Sequence, residues 1–336
     1  MDPKYVLVVG SGSAGLRHAR NLADLGCRIA CTDPRDDRRK ALAAELGATG
    51  VFAHLEEALH GASDLDAVVI ASPTALHVDQ ASAALHAGLP VLLEKPVSTE
   101  AASGRRLLAA AEETGLPVLL GYTWRWWPPL AVVQQRLREG AIGAVRFVQL
   151  HMSAHLADWH PWERYQDFFM ASKALGGGAL LDESHWIDLM VHFFGVPDRV
   201  FARIEKISGL EIETDDNVDM LLDYADTLRV SLHLDLFGRP HEKFIRFVGE
   251  EGTLHWSADP NQIALGRAAE QDWEIQRFQC QRNDMFVEVA REFLRVLDGA
   301  PVATCTLPEG LQVLEIIDAA RRSHAEGRSI AMEPSA

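Results

Sequence analysis

A chain of 336 residues is long enough for two domains with cores of their own, and 48% hydrophobic with 24% charged residues is ordinary for a globular protein, which excludes a disordered or fibrous class. The formal net charge of -16 argues against a nucleic-acid or anionic-membrane partner, since both need a basic surface; an anionic ligand must be met by local arginines, lysines or backbone amides. Four cysteines, Cys27, Cys31, Cys280 and Cys305, contain no CxxC pair and are too few for a disulfide framework, which points to a reducing cytoplasm.

The apolar run from Tyr5 to Gly10 is too short for a signal peptide and is broken by glycines and by Arg17 and His18; no segment is long enough to span a membrane. Val6 to Val9 reads instead as a short strand, followed by Gly10-Ser11-Gly12-Ser13-Ala14-Gly15 and a helical pattern through Leu22, Ala23 and Leu25 that Gly26 ends. Strand, glycine turn and helix come in the order a dinucleotide-binding unit requires. Gly10 permits the tight turn, Gly12 lets backbone amides approach a pyrophosphate, and Gly15 lets the helix pack close to the strand. A second strand, Cys27 to Thr32, ends in Asp33, about 20 residues on, where an acid accepts hydrogen bonds from the adenosine ribose. Asp33 repels a 2'-phosphate and so favours NAD, while Arg35, Arg38 and Arg39 directly after it leave NADP open. Those arginines otherwise form the solvated face of a helix from Asp36 to Leu46.

Alternation continues with a strand Gly50 to Phe52, a short helix near Glu56 to Leu59, a strand Ala67 to Ala71 and a helix from Ala75 to Ala87, the spacing of right-handed crossovers in a parallel sheet. Ser72-Pro73-Thr74 falls at a strand's carboxyl end, on the edge where ligands bind, and His77 lies one turn into the next helix, where capping or packing is the plainer role. Val91-Leu92-Leu93-Glu94-Lys95-Pro96 is an apolar run without alternation, stopped by a charged pair and a proline. It reads as a strand buried on both faces that presents Lys95 at the same edge, with the isomer of the Lys95–Pro96 bond left open. A helix from Thr99 to Thr114, capped by Ser98 or Thr99, leads to a last strand, Pro117 to Gly121, and the nucleotide domain closes there at residues 1–121, leaving 122–336 for substrate binding and oligomerisation.

These blocks resemble the Gfo/Idh/MocA family of NAD(P)-dependent sugar and polyol oxidoreductases. The resemblance is carried by Gly10-x-Gly12-x-x-Gly15-x-x-His18, Ala71-Ser72-Pro73-Thr74 with His77, Glu94-Lys95-Pro96, Arg125 with Pro128, and Gly176-Gly177-Gly178 leading to His185-Trp186-Ile187-Asp188. It implies an α/β chain, an N-terminal Rossmann doubly wound parallel sheet followed by a domain on a large, mostly antiparallel open sheet, with Lys95 and His185 beside the nicotinamide. The cofactor-binding set it implies is Gly10, Ser11, Gly12, Ser13, Ala14, Gly15, Asp33, Ser72, Pro73, His77, Glu94, Lys95 and Arg125. An exposed sheet face and the resemblance together point to a homodimer or homotetramer.

The second half agrees. Leu228, Val230, Leu232, Leu234 and Leu236 alternate with polar residues as in a strand with one buried face. Gly249-Glu250-Glu251-Gly252 between two apolar runs reads as a hairpin turn, and amphipathic helices are expected over Asn283–Leu297 and Pro308–His324.

The chemistry falls to a few residues. Hydride transfer from a secondary alcohol needs a base for the hydroxyl proton; His185 suits that task, with Lys95 donating a hydrogen bond to the same oxygen. Lys95 as the direct base, its pKa lowered by burial, is the alternative. Asp182, three residues before His185, orients it across a helical turn or serves only as an N-cap; in the commoner family pattern four residues separate the two. A zinc site from His185, Asp188 and His192 matches no standard spacing, and no metal is expected. Substrate-binding candidates are Lys95, Tyr122, Trp124, His155, Trp159, Arg164, Tyr165 and His185, in a region that also holds His151, His160 and Trp162; rings with interspersed arginine and histidine suit a sugar bearing a carboxylate or phosphate. The run Trp159 to Tyr165 resembles a branch of the family associated with acidic or nucleotide-linked amino sugars. Two rivals remain: a glycoside-cleaving relative that uses transient oxidation by bound NAD, and a catalytically silent cofactor-binding regulator.

Overall fold

The computed structural model describes residues 3–62, 64–159, 163–225, 227–267 and 272–333. Two compact units result: Met1–Trp126 with Arg282–Leu314, and Trp127–Gln281 with Glu315–Ala336.

In the first unit the chain alternates β1 (Tyr5–Val9), α1 (Ser13–Asp24), β2 (Arg28–Thr32), α2 (Asp36–Leu46), β3 (Gly50–Phe52), α3 (Leu55–Gly61), β4 (Ala67–Ile70), α4 (His77–His86), β5 (Val91–Leu93), α5 (Ala101–Thr114) and β6 (Val118–Leu120). The six strands form one parallel sheet in the order β3-β2-β1-β4-β5-β6. This is the doubly wound arrangement, with its crossover point between β1 and β4, so the turns after β1, β4 and β5 share the carboxyl edge. Strands with helices on both faces carry no polar alternation, and every residue of β1, β4, β5 and β6 is buried. Val6, Val8, Val69, Leu92 and Leu119 pack with Val289, Ala290 and Phe293 in one core cluster; each fully buried side chain of this size contributes about 1.5–3 kcal/mol.

The second unit begins with α6 (Pro128–Arg138) and β7 (Val145–Ser153), then a stretch of single 3-10 turns, α7 (Ala179–Asp182), α8 (His185–Phe194) and the strands β8 (Arg199–Glu205), β9 (Asn217–Tyr224), β10 (Leu228–Asp235), β11 (Glu242–Gly249), β12 (Gly252–Ala258), β13 (Asn261–Arg267) and β14 (Glu274–Arg277). Helix α9 (Arg282–Leu297) belongs to the first unit, α10 (Leu307–Glu326) starts in the first and ends in the second, and β15 (Ile330–Ala331) closes the second. The nine strands run β14-β13-β12-β11-β7-β10-β9-β8-β15 and pair antiparallel except β7 with β10. Alternation decides the two faces. Val230, Leu232 and Leu234 are buried beside Val148, Leu150 and Met152, while Ser231, His233, Gln149 and His151 lie on the opposite face. Trp186 and Trp256 are fully buried, with ring centroids 6.4 Å apart.

Two boundaries differ from expectation. Helix α5 starts at Ala101, because the Ser98 hydroxyl accepts the Glu100 N–H at 3.1 Å and donates to the Glu100 oxygen at 2.7 Å, closing a turn of its own before the helix. The helix expected from Ala75 is preceded by a 3-10 turn over Thr74–Leu76, and α4 opens at His77. No helix among the described residues is long and apolar enough to cross a membrane.

Candidate active site

The glycine turn after β1 is shaped by close approach. Gly10 has φ +91°, and a Cβ on Gly15 would stand 1.8 Å from the Gly10 carbonyl oxygen, so any side chain there would drive α1 off the strand. At Gly12 the nearest atom to a Cβ position is Arg38 Nη1, at 3.5 Å, so the space over the turn is open. Asp33 holds the turn: its Oδ2 accepts the Ser11 N–H at 2.7 Å and its Oδ1 the Arg35 N–H at 2.8 Å. Ser13 and Ala14 open α1. An open glycine cradle at a helix N-terminus, with an acid at the end of β2, fits a dinucleotide: the turn would hold the pyrophosphate and Asp33 the ribose.

Arg35 is paired with Asp37 at 2.6 Å and Arg39 with Asp36 at 2.7 Å, on the exposed side of α2.

Two further turns complete this edge. Glu94 leaves β5 buried, with Oε1 2.7 Å from His18 Nε2 and Oε2 accepting the Lys95 N–H at 3.2 Å. Burial pushes the Glu94 carboxyl up, but the His18 hydrogen bond and the Lys95 charge and amide outweigh it, and the group sits below its usual range. The Lys95–Pro96 peptide is cis. His77 joins the turns after β4 and β5: its Nδ1 is 2.8 Å from the Pro96 oxygen and its Nε2 2.9 Å from the Ser72 oxygen. A neutral imidazole has one N–H and satisfies one of these acceptors; both are satisfied only by the imidazolium. Burial pushes the ring pKa down, against the pull of the two carbonyls and Glu94, so the second proton is bound only in acid. Either way the ring is committed to these two carbonyls. Ser72 donates to Gln80 Oε1 at 2.5 Å, and Pro73 precedes the 3-10 turn.

Arg125 is fully buried at its guanidinium, with Nη1 donating to the Thr304 oxygen at 2.8 Å and to Glu309 at 2.5 Å. Tyr122 is buried directly beyond β6, and Trp124 is half-buried in the 3-10 turn Thr123–Trp126. All of these residues lie in the first unit.

The second unit carries the others. Gly178 has φ +108° and begins α7; Asp182, buried, ends it and donates its N–H to the Gly178 oxygen at 2.9 Å. Asp182 is therefore not the N-cap of the helix that follows, a position taken by Ser184. His185 is the first residue of α8 and half-buried. His192, near the end of α8, has Nε2 2.9 Å from Gln134 Nε2. Among the described residues no three His, Cys, Asp or Glu side chains are placed to hold a metal ion.

His155 accepts the Ala157 N–H at 3.2 Å and caps a 3-10 turn; Trp159 is half-buried just beyond that turn; Arg164 is exposed; the Tyr165 hydroxyl accepts the Glu211 N–H at 3.3 Å. His160 and Trp162 lie outside the described residues. His151 is on the open sheet face, stacked between His233 and Phe244 with centroids 5.1 Å from each.

Sequence reasoning passed over Asp215, whose carboxylate Oδ2 accepts the Leu180 N–H at 2.8 Å. Its one signal was an acid pair, Asp215-Asp216, directly before a strand.

Two family models match. Residues 4–122 fit the oxidoreductase family with an NAD-binding Rossmann fold, and residues 130–255 fit the GFO/IDH/MocA C-terminal domain. The scyllo-inositol 2-dehydrogenase (NADP(+)) of Bacillus subtilis is 22% identical, over 99% of this chain and 97% of its own. The D-xylose 1-dehydrogenase (NADP(+)) 2 of Haloferax volcanii is 26% identical, over 89% of this chain and 90% of its own. Among solved structures, GenD2 from gentamicin A biosynthesis, in complex with NAD, superposes with a TM-score of 0.85 at 26% identity, over 99% of this chain and 97% of that one.

Proposed function

The chain belongs to the Gfo/Idh/MocA family of oxidoreductases and is an NAD(P)-dependent dehydrogenase, and we propose that it interconverts a hydroxyl and a ketone on a sugar, polyol or nucleotide-sugar derivative. One observation carries the reading: Lys95 leaves β5 at the carboxyl edge that also bears the open glycine turn and the Ser72 turn. What a bound nicotinamide supplies there is the hydride acceptor or donor.

The chain's own residues manage the proton and the oxygen. His185 takes the hydroxyl proton as the carbinol carbon is oxidised, and Lys95 donates a hydrogen bond to the same oxygen as negative charge develops on it. Lys95 as the base is the second assignment of the same pair. Asp182, one turn ahead, orients the imidazole. Tyr122, Trp124, His155, Trp159, Arg164 and Tyr165 form the specificity region, where rings stack on a sugar and an arginine fork grips a carboxylate or phosphate. The first unit holds the cofactor, with Gly10 to Gly15, Asp33, Ser72, Pro73, Glu94 and Arg125 as its set and NAD preferred by the acid at Asp33; the second serves substrate and assembly into a homodimer or homotetramer. The low cysteine count fits a cytoplasmic protein.

The test is reduced-nicotinamide absorbance over time with either cofactor and a panel of polyols, uronic acids and nucleotide sugars. The expected result is turnover on one substrate class, reduced by on the order of a hundredfold or more in Lys95→Ala. Cofactor binding without turnover anywhere on the panel would overturn the assignment.

A further inference from the structure

The turn that feeds His185 is held by a residue outside that machinery. Asp215 lies two residues before β9. Its Oδ2 accepts the Leu180 N–H at 2.8 Å, and its backbone oxygen accepts the Ala179 N–H at 3.0 Å, so both grips fall on the first two residues of α7. Gly178 presses on the same carboxylate: a Cβ there would stand 2.4 Å from Asp215 Oδ1. From the other side, Met170 fixes the turn, its carbonyl oxygen accepting the Gly178 N–H at 3.1 Å and the Thr214 hydroxyl at 2.8 Å.

From α7 an unbroken series of main-chain hydrogen bonds leads past His185. Asp182 N–H bonds to Gly178, Ser184 to Leu181, Trp186 to Glu183 and Asp188 to Ser184. The residues that Asp215 grips and His185 thus lie in one short hydrogen-bonded stretch of chain. The carboxylate is also held against its own preference: burial pushes the Asp215 pKa up, with Asp216 adding to it, and the Leu180 N–H and the Arg321 charge offset only part.

We propose that Asp215 is a positioning residue for His185, its carboxylate fixing the first turn of α7 and through it the approach of the imidazole to the substrate oxygen. The inference rests on His185 acting on the substrate.

Asp215→Asn, Asp215→Ala and His185→Ala, each in the full-length protein, separate the possibilities. In Asp215→Asn the thermal midpoint at pH 7 is expected to hold or rise. The sign follows from linkage: a carboxyl with a raised folded pKa contributes its stability below the unfolded pKa and loses it as pH rises, so the advantage of Asn shrinks on acidification. Asp215→Asn keeps an amide oxygen for the Leu180 N–H, so its kcat, its cofactor affinity and its His185 ring nitrogen resonances are expected to stay near wild type. In Asp215→Ala the Leu180 N–H loses that acceptor: kcat falls on the order of tenfold at unchanged cofactor affinity, the His185 resonances move, and the midpoint drops. Wild-type kcat and an unmoved His185 signal in Asp215→Ala would overturn the proposal even if His185→Ala is inactive. Full turnover in His185→Ala alongside a loss in Asp215→Ala would overturn it too, since Asp215 would then act elsewhere, and would separately remove His185 from the reaction.

Discussion

The turn at Gly10–Gly15 in the first unit and the turn at Gly176–Gly178 in the second are built from the same parts. Each leads into a helix, each contains a glycine at positive φ, and each is gripped by one aspartate through a backbone amide, Asp33 on Ser11 and Asp215 on Leu180. What surrounds them differs. Over Gly12 the nearest atom is the end of a flexible arginine at 3.5 Å, whereas Gly177 and Gly178 already have Met170 O and Asp215 Oδ1 at 2.3 and 2.4 Å from where a Cβ would be. The first turn leaves room for a ligand's phosphates to approach the backbone; the second is filled by the protein itself and, on the reading proposed above, mounts a side chain farther on. A glycine cluster thus marks close approach without saying what approaches.

The sharpest way to break this comparison is to place a methyl in each turn. In Gly15→Ala the new Cβ meets a main-chain oxygen that cannot yield, so a stability loss of roughly 3 kcal/mol and loss of cofactor binding are expected, read by thermal denaturation and by quenching of tryptophan fluorescence with NADH. Gly178→Ala combines a left-handed φ with a clash against a carboxylate and is expected to cost about 1–3 kcal/mol, to reduce kcat, and to leave cofactor affinity as it was. If Gly178→Ala weakens NADH instead, the division of labour between the two turns is wrong.

The first of these turns was legible from sequence because its logic is local: a strand, a turn and a helix within 20 residues of one another, and an acid at the end of the next strand. The parallel sheet followed from the alternation of short apolar runs with helices, whereas the antiparallel sheet was implied by the family resemblance, with which period-two patterns such as Leu228 to Leu236 agree. What escaped depends on partners far along the chain. β7 pairs in parallel with β10, and its own pattern does not name that neighbour. The carboxylate of Glu94 meets His18 across 76 residues, Arg125 meets Glu309 across 184, and Asp215 reaches back 35 residues to Leu180. Each is a side chain satisfying a buried group that only folding brings near. Capping escaped for the opposite reason: Ser98 had a nearer backbone partner than the helix expected of it.

His77 tests whether the edge of the first unit is as firmly tied as the mount of the second. Leucine at this position cannot donate to the carbonyl of either Ser72 or Pro96, so His77→Leu is expected to lose about 1–3 kcal/mol and to lower kcat through slack at Lys95, with the newly unmet carbonyl setting the cost. An unchanged kcat would show that the Lys95 turn holds itself. Glu94→Gln is milder at pH 7, about 1 kcal/mol, because the amide oxygen still faces His18. Its interest is in the pH dependence. A depressed folded pKa contributes stability above the unfolded value and loses it as pH falls through the folded one, so the wild-type advantage is expected to shrink as pH falls below 4.5 and to vanish once the folded carboxyl is protonated. Parallel denaturation midpoints for the two proteins across acid pH check it, and a gap that persists in acid would mean the charge of Glu94 is not what matters.

The second unit has the opposite sensitivity, on its open sheet face. His233 on β10 lies between two carboxylates, with Nδ1 2.7 Å from Asp219 and Nε2 3.1 Å from Asp235, and stacks on His151 at 5.1 Å. The Asp235 hydrogen bond first, and Asp219 with it, outweigh burial and raise the ring pKa from 6.5 to about 8. His151, pushed down by burial and by the neighbouring charge, stacks as the less readily protonated ring of the two. A group with a raised folded pKa contributes stability fully below its unfolded value and loses it as pH rises through the folded one. Between 6.5 and about 8 the wild-type protein should therefore lose stability that His233→Gln, having no proton to lose, does not. The ring is partly exposed and both acids are within reach of water, so the effect is about 1 kcal/mol or less. Thermal midpoints of the two proteins should converge as pH rises through that window; parallel curves would mean that the carboxylates hold the strand pair without the charge on the ring.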